Sequence, residues 1–230
     1  MIKSPTKLKL KVCGMKYASN ITEVAGLFPD YMGFIFYSGS KRNAQRILKP
    51  EMVKRMPRSI KRVGVFVNST ADTIRLRVKE FALNYVQLHG NESPAFCAAI
   101  SKMVPVIKAF GVDEDFDFGF TAAYAGSCSY FLFDTRTKKH GGSGKRFDWR
   151  LLNAYRGKTP YFLSGGIGEE EVSTLMGILQ TNGQSRMLTK TLKLVMGIDV
   201  NSRVEKSPGW KDIEQLKRLK KRIDEKHNKR

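Results

Sequence analysis

"YFLSGGIGEEE", Tyr161 to Glu171, joins three signals in eleven residues. An apolar run ends at Leu163, a Gly165-Gly166 turn follows, and Glu169-Glu170-Glu171 opens a helix. That is a strand feeding a helix through a glycine turn. "LKLKVCGMK", Leu8 to Lys16, has the same form: Leu8, Leu10 and Val12 alternate with Lys9, Lys11 and Cys13, then a glycine turns the chain. Strand periodicity puts the three apolar residues on one face and the lysines with Cys13 on the other.

Working outward, short apolar and β-branched runs recur at Leu8–Val12, Tyr31–Tyr37, Arg62–Val67, Tyr85–Leu88, Val104–Phe110, Tyr130–Phe133, Thr159–Leu163 and Leu194–Val200. Between most of them lie stretches of helical character: Ile21–Phe28, Pro50–Arg55, Ala71–Phe81, Pro94–Ser101, Trp149–Tyr155, Glu169–Leu179 and Trp210–Lys226. Ser69 or Thr70 offers a cap for "ADTIRLR". Strand–helix alternation implies right-handed crossovers and a parallel sheet. Eight units in 230 residues match an α/β single-domain (β/α)8 TIM barrel, with a doubly wound open sheet as the alternative. The expected domain is residues 1–230, ending in a basic helix and a frayed tail. The fifth unit, "GVDEDFDFGFTAAYAGSCS", has poor helical continuity, and Thr181 to Lys193 reads as an insertion before the eighth strand.

Lysine and arginine number 41 against 21 aspartates and glutamates, a net charge of +20. Such a balance favours anionic partners: nucleic acid, a membrane surface or phosphorylated small molecules. It is also what a lysine-rich solvated surface gives. Cys13, Cys97 and Cys128 are too few and too scattered for a disulfide framework, and no spacing suggests zinc. No apolar run approaches a membrane span, and the first residues have no apolar leader core. The expectation is a soluble, cytoplasmic protein.

In a barrel of this kind the loops after the strands build the site. Those strand ends carry Cys13-Gly14, Ser40-Lys41-Arg42, Asn68, His89-Gly90, Asp134-Thr135, Ser164-Gly165-Gly166 and Asp199 to Ser202-Arg203. Chance would scatter such residues over both ends. Cys13 would sit topmost on the inward face, with Lys11 below it favouring thiolate; the plainer reading is a small buried hydrophobe. Asp134, ending the apolar "FLFDT", either caps the next turn or does acid–base work. The following "HGGSGKRFDW" reads as a glycine loop or a plain connector. Backbone amides at Gly165-Gly166, with those after the eighth strand, can cradle a phosphate. His89 sits where substrate contact is plausible; His140 and His227 have no metal partners in view.

The ordered set "KVCGMK", "DYMGFIFYSGSKR", "VGVFVN", "VQLHGNESP", "FLFDT…GGSGKRFDW", "LSGGIG" and "GIDVNSRVEKSPGWKD" resembles the phosphoribosylanthranilate isomerase family of tryptophan biosynthesis, from about Leu8 to Leu219. The resemblance implies a (β/α)8 barrel, no cofactor and no metal. It implies an Amadori rearrangement of N-(5-phosphoribosyl)anthranilate to 1-(2-carboxyphenylamino)-1-deoxyribulose 5-phosphate. Carried over, Cys13 is the general base and Asp134 the general acid. Arg42 holds the anthranilate carboxylate, His89 contacts substrate, and Gly165, Gly166, Asn201 and Ser202 bind the phosphate. Opening the ribose ring needs Asp134 protonated, and moving the C2 proton needs Cys13 as thiolate. Lys11 helps the second and opposes the first, so burial or the substrate's charges must offset it at Asp134. The chain departs from the family at "SGSKR", Ser38 to Arg42, where "PKSPR" is usual, and at the following "NAQRIL".

The implied partner is a small phosphorylated substrate, with no membrane, nucleic acid at most as a secondary partner, and a monomer or homodimer. Another sugar-phosphate barrel enzyme would be expected to show a strand-end lysine or a metal-binding His/Asp set. Only Lys11 is an obvious strand lysine. A nucleic-acid binder would use Lys217–Arg230 and bind in a salt-sensitive way.

Overall fold

The computed structural model describes residues 8–136, 148–180 and 192–224. Every one of the eight apolar runs forms a strand: β1 Lys9–Val12, β2 Tyr31–Ile35, β3 Lys61–Phe66, β4 Tyr85–Leu88, β5 Val106–Val112, β6 Tyr130–Thr135, β7 Tyr161–Leu163 and β8 Val195–Val200. Each pairs in parallel with the next. β8 then closes on β1, with Lys11 opposite Asp199. That closing pair rules out the open sheet.

The crossovers are α1 Ala18–Ala25, α2 Pro50–Lys54, α3 Ala71–Phe81, α4 Pro94–Ser101 and α5 Glu169–Gln180. The hydroxyl of Thr70 caps α3, accepting from Thr73 N at 3.3 Å. Ser93 caps α4 ahead of Pro94, which suits a first helical position because its missing N–H would have no partner there. The fifth and sixth crossovers are 3-10 turns, Phe118–Tyr124 and Trp149–Ala154. The first fits the broken helical pattern of that unit. The second replaces the helix expected at Trp149–Tyr155.

The last unit differs from expectation at its start. Trp210 does not open a helix. Glu205–Ser207 (β9) and Trp210–Lys211 (β10) form an antiparallel hairpin, and the final helix, α6, runs Ile213–Asp224. Asp212 holds the start of α6, accepting from Gln215 N at 3.1 Å. The proposed insertion Thr181–Lys193 lies outside the described residues except for Leu192 and Lys193. His140, His227 and most of the glycine loop also lie outside them. No helix among the described residues is long and apolar enough to cross a membrane.

Two apolar regions hold the barrel. Leu8, Leu10 and Val12 join the large outer core, between strands and helices. The smaller inner core, Tyr31, Val63, Ile107, Ala109, Leu132 and Phe162, fills the lower barrel. Four rings close a circuit there: Tyr31–Tyr85 at 5.6 Å, Tyr85–Tyr130 at 6.0 Å, Tyr130–Phe162 at 5.6 Å and Phe162–Tyr31 at 5.2 Å. β2, β4 and β6 each supply a tyrosine. On β8 the position opposite Phe162 is Gly197, which has no side chain to offer, and Phe162 completes the ring from β7.

Candidate active site

Above the aromatic ring the same strands carry polar side chains around a cavity of about 820 Å³, counting its solvent-open mouth. Cys13, His89, Asp134, Gly165, Gly166, Asn201 and Ser202 all line it. They are the sequence-nominated site residues, with one exception. Arg42 does not line the cavity as it stands. Its guanidinium is bound to Glu205 beside Gly14.

Cys13 is buried directly after β1. Its neighbour Lys11 is fully buried and donates to Asp199 Oδ1 at 2.8 Å. Burial works against the Lys11 charge, and Asp199 holds it protonated. The expectation that Lys11 would bring Cys13 to the thiolate is not met in the resting site. Burial pushes the thiol above its ordinary range, and Lys11 only partly offsets this because Asp199 opposes it.

Asp134, the last but one residue of β6, has its side chain 18% exposed. Burial pushes its carboxyl up to about 6, against the Thr135 amide, the Ser164 hydroxyl and the Lys11 charge. So burial works in the direction a protonated acid needs. Ser164 also donates to Asp199 Oδ2 at 3.4 Å, linking the acid's surroundings to the Lys11–Asp199 pair. His89 Nε2 lies 3.5 Å from Asp134 Oδ2, and Gln87 Nε2 is 3.3 Å from His89 Nδ1.

Beside Asp134, Gly165 and Gly166 have φ of +85° and +66°. A side chain at Gly165 would be strained and would also collide: its Cβ would sit 2.2 Å from Thr135 Oγ1 and 2.9 Å from Asp134 Oδ1. The turn therefore lies against the acid. Gly168 N donates to Glu171 Oε2 at 2.9 Å, fixing the start of α5. The amides of Gly166 and Ile167 find no acceptor among the described residues. With Ser202 lining the same cavity, these amides can take an anion.

The strand-end signal had already pointed to Ser164, Thr135 and Asp199. It missed Glu205 and Lys211, which sit in the hairpin after β8 and looked like loop and helix. Nothing in the sequence pairs Glu205 with Arg42, 163 positions earlier. No group of three or more His, Cys, Asp or Glu among the described residues could hold a metal ion.

A closed parallel barrel with a thiol and a carboxyl sharing one cavity at the C-terminal strand ends is the arrangement of a (β/α)8-barrel enzyme. The family model "PRAI: N-(5'phosphoribosyl)anthranilate (PRA) isomerase" matches residues 10–222. The N-(5'-phosphoribosyl)anthranilate isomerase of Parabacteroides distasonis is 43% identical over 210 residues, 90% of each chain. The crystal structure of phosphoribosyl anthranilate isomerase from Thermotoga maritima is 32% identical, with TM-score 0.76, over 95% of this chain and 99% of that one. Another isomerase structure, in complex with reduced 1-(o-carboxyphenylamino)-1-deoxyribulose 5-phosphate, is 29% identical with TM-score 0.71, over 95% and 99%. The chain belongs to the phosphoribosylanthranilate isomerase family.

Proposed function

We propose that this protein isomerises N-(5-phosphoribosyl)anthranilate to 1-(2-carboxyphenylamino)-1-deoxyribulose 5-phosphate, with Asp134 as general acid and Cys13 as general base. The observation that carries this reading is the single cavity walled by Cys13, Asp134 and the Gly165-Gly166 turn. Asp134 gives its proton to the ring oxygen as the C1–O bond breaks, leaving an iminium between C1 and the aniline nitrogen. The Cys13 thiolate takes the C2 proton. The C2–H electrons form a C1–C2 double bond, and the iminium electrons return to nitrogen. The enolamine then loses its hydroxyl proton and gains one at C1, giving the ketone. No external oxidant or reductant is consumed.

The phosphate lies on the Gly166 and Ile167 amides and at Asn201 and Ser202, where unpaired donors favour it. His89 contacts the substrate beside Asp134, and Arg42 takes the anthranilate carboxylate. The test is turnover of phosphoribosylanthranilate made in situ, followed by loss of anthranilate-type fluorescence. Cys13→Ala and Asp134→Ala are each expected to lower turnover by about 10²–10⁴-fold, the range for removing a general acid or base. Full activity in either folded variant removes that residue from its role.

A further inference from the structure

Arg42 is held by one edge. Its Nε donates to Glu205 Oε1 at 2.9 Å and Oε2 at 3.0 Å, and its Nη2 donates to Oε2 at 2.6 Å. A guanidinium has five N–H donors in a fixed fork, so this grip leaves both Nη1 hydrogens and one on Nη2. These have no partner among the described residues. The remaining Nη1–Nη2 edge has the geometry for a second, bidentate carboxylate.

Glu205, by contrast, is fully engaged. Its side chain is 4% exposed. Besides Arg42 it accepts from Lys211 Nζ at 2.6 Å and from Gly209 N at 3.0 Å. Lys211 also donates to Asn201 O at 3.2 Å and Asn201 Oδ1 at 2.8 Å. The backbone of Lys211 is pinned by Asn20 of α1, through bonds of 2.7 and 3.0 Å. The Glu205 carboxyl stays below the usual range although burial works against it, because the bonds from Arg42 and Lys211 outweigh burial. A cation, an anion and a cation in a row leave net positive charge for an incoming anion.

This chain of bonds ends at the mouth of the cavity. A Cβ on Gly14, next to Cys13, would lie 2.8 Å from Arg42 Cδ and 2.6 Å from Asn201 Oδ1. Ser40 lines the cavity and accepts from Arg42 N at 3.1 Å. The loop Ser38–Arg42 contains no proline to stiffen it. Its long arginine would otherwise lose side-chain freedom at each binding event.

We propose that Glu205 is a positioning residue that selects for the carboxylate on the substrate's aromatic ring, by fixing Arg42 through its Nε–Nη2 edge and leaving the Nη1–Nη2 edge to that carboxylate. This deepens the assignment of Arg42 above and rests on it. Glu205 does not line the cavity; it acts through Arg42.

The test compares two substrates, the N-(5-phosphoribosyl) derivatives of anthranilate and of aniline, each made by condensing the amine with ribose 5-phosphate. The readout is the ratio of their kcat/KM values, which does not depend on how much of a preparation is folded. Glu205→Gln is expected to lower the preference for the anthranilate substrate by about tenfold or more, mainly through KM, as expected when a charged hydrogen-bonded contact is loosened. Arg42→Ala lowers it further, and Arg42→Ala combined with Glu205→Gln lowers it no further than Arg42→Ala does. If Glu205→Gln does not fold, Glu205→Asp, which withdraws the carboxylate by one methylene, shifts the ratio the same way by a smaller factor. An unchanged ratio in Glu205→Gln, or in Glu205→Asp where that variant stands in, with Arg42→Ala still lowering it, overturns the role of Glu205 alone. An unchanged ratio in Arg42→Ala overturns the assignment of Arg42 and this inference with it.

Discussion

The interior of the barrel has two levels built by the same strands from opposite chemistry. At the lower level stand Tyr31, Tyr85, Tyr130 and Phe162. At the upper level the cavity is walled by Gln87, His89, Asp134, Ser164 and Asp199. Along β4 the inward positions run Tyr85, Gln87, His89; along β6 they run Tyr130, Leu132, Asp134. Two residues of strand advance about 7 Å. The change from ring to polar group takes one or two such steps. Period-two alternation sets which side chains point inward at both levels. It does not set their polarity. The lower level packs apolar surface and anchors the fold. The upper level buries the Lys11–Asp199 ion pair, whose attraction is spent largely on offsetting the cost of taking both charges out of water.

The sharpest way to break this comparison is at the lower level. Phe162→Ala opens a cavity in the aromatic ring and is expected to cost about 3–5 kcal/mol. Urea unfolding measures it, and turnover per folded molecule is expected to stay near wild type. A large loss of turnover in the folded variant would mean that the two levels are coupled.

At the upper level, Lys11→Met leaves Asp199 as a buried charge without its ion-pair partner, at a cost of about 3 kcal/mol. Pairing it with Asp199→Leu is expected to recover most of that stability while activity stays impaired. Were the double variant as unstable as the single one, the pair would be contributing stability and the upper level would resemble the lower.

The smallest effect is a pH profile. The acid must be protonated and the base ionised, yet the resting protein holds them the other way round. Asp134 loses its proton near 6, while the Cys13 thiol, raised by burial, keeps its proton to higher pH. The productive form is then a minority whose share stays constant between the two titrations. The expected kcat/KM profile is a bell with its acid limb near 6 and its basic limb above the ordinary thiol range. A basic limb below that range would show that Lys11 wins over burial in the free enzyme.

Most of the fold could be read in advance. All eight strands lie within two residues of the apolar runs, and α3 and α4 have the expected bounds. Capping residues and strand periodicity are local signals, and both helices begin at such a cap. Trp210 misled because an apolar aromatic beside "KDIEQLKRLK" fits a helical pattern. In the structure it packs on Tyr17 at 5.3 Å and pairs across the hairpin with Ser207. A contact 193 positions away leaves no trace in a local pattern.

The division in the site follows the same physics. Residue type and place in the βα unit marked Cys13, Asp134 and the Gly165-Gly166 turn, because short-range periodicity carries each to a strand end. The protonation preferences of Cys13 and Asp134 came from burial, which depends on every element packed around the mouth. The ties of Lys11 to Asp199 and of Arg42 to Glu205 span 188 and 163 positions. They exist because the barrel closes β8 onto β1 and packs the hairpin against the segment that follows β1, and closure is a property of the whole chain.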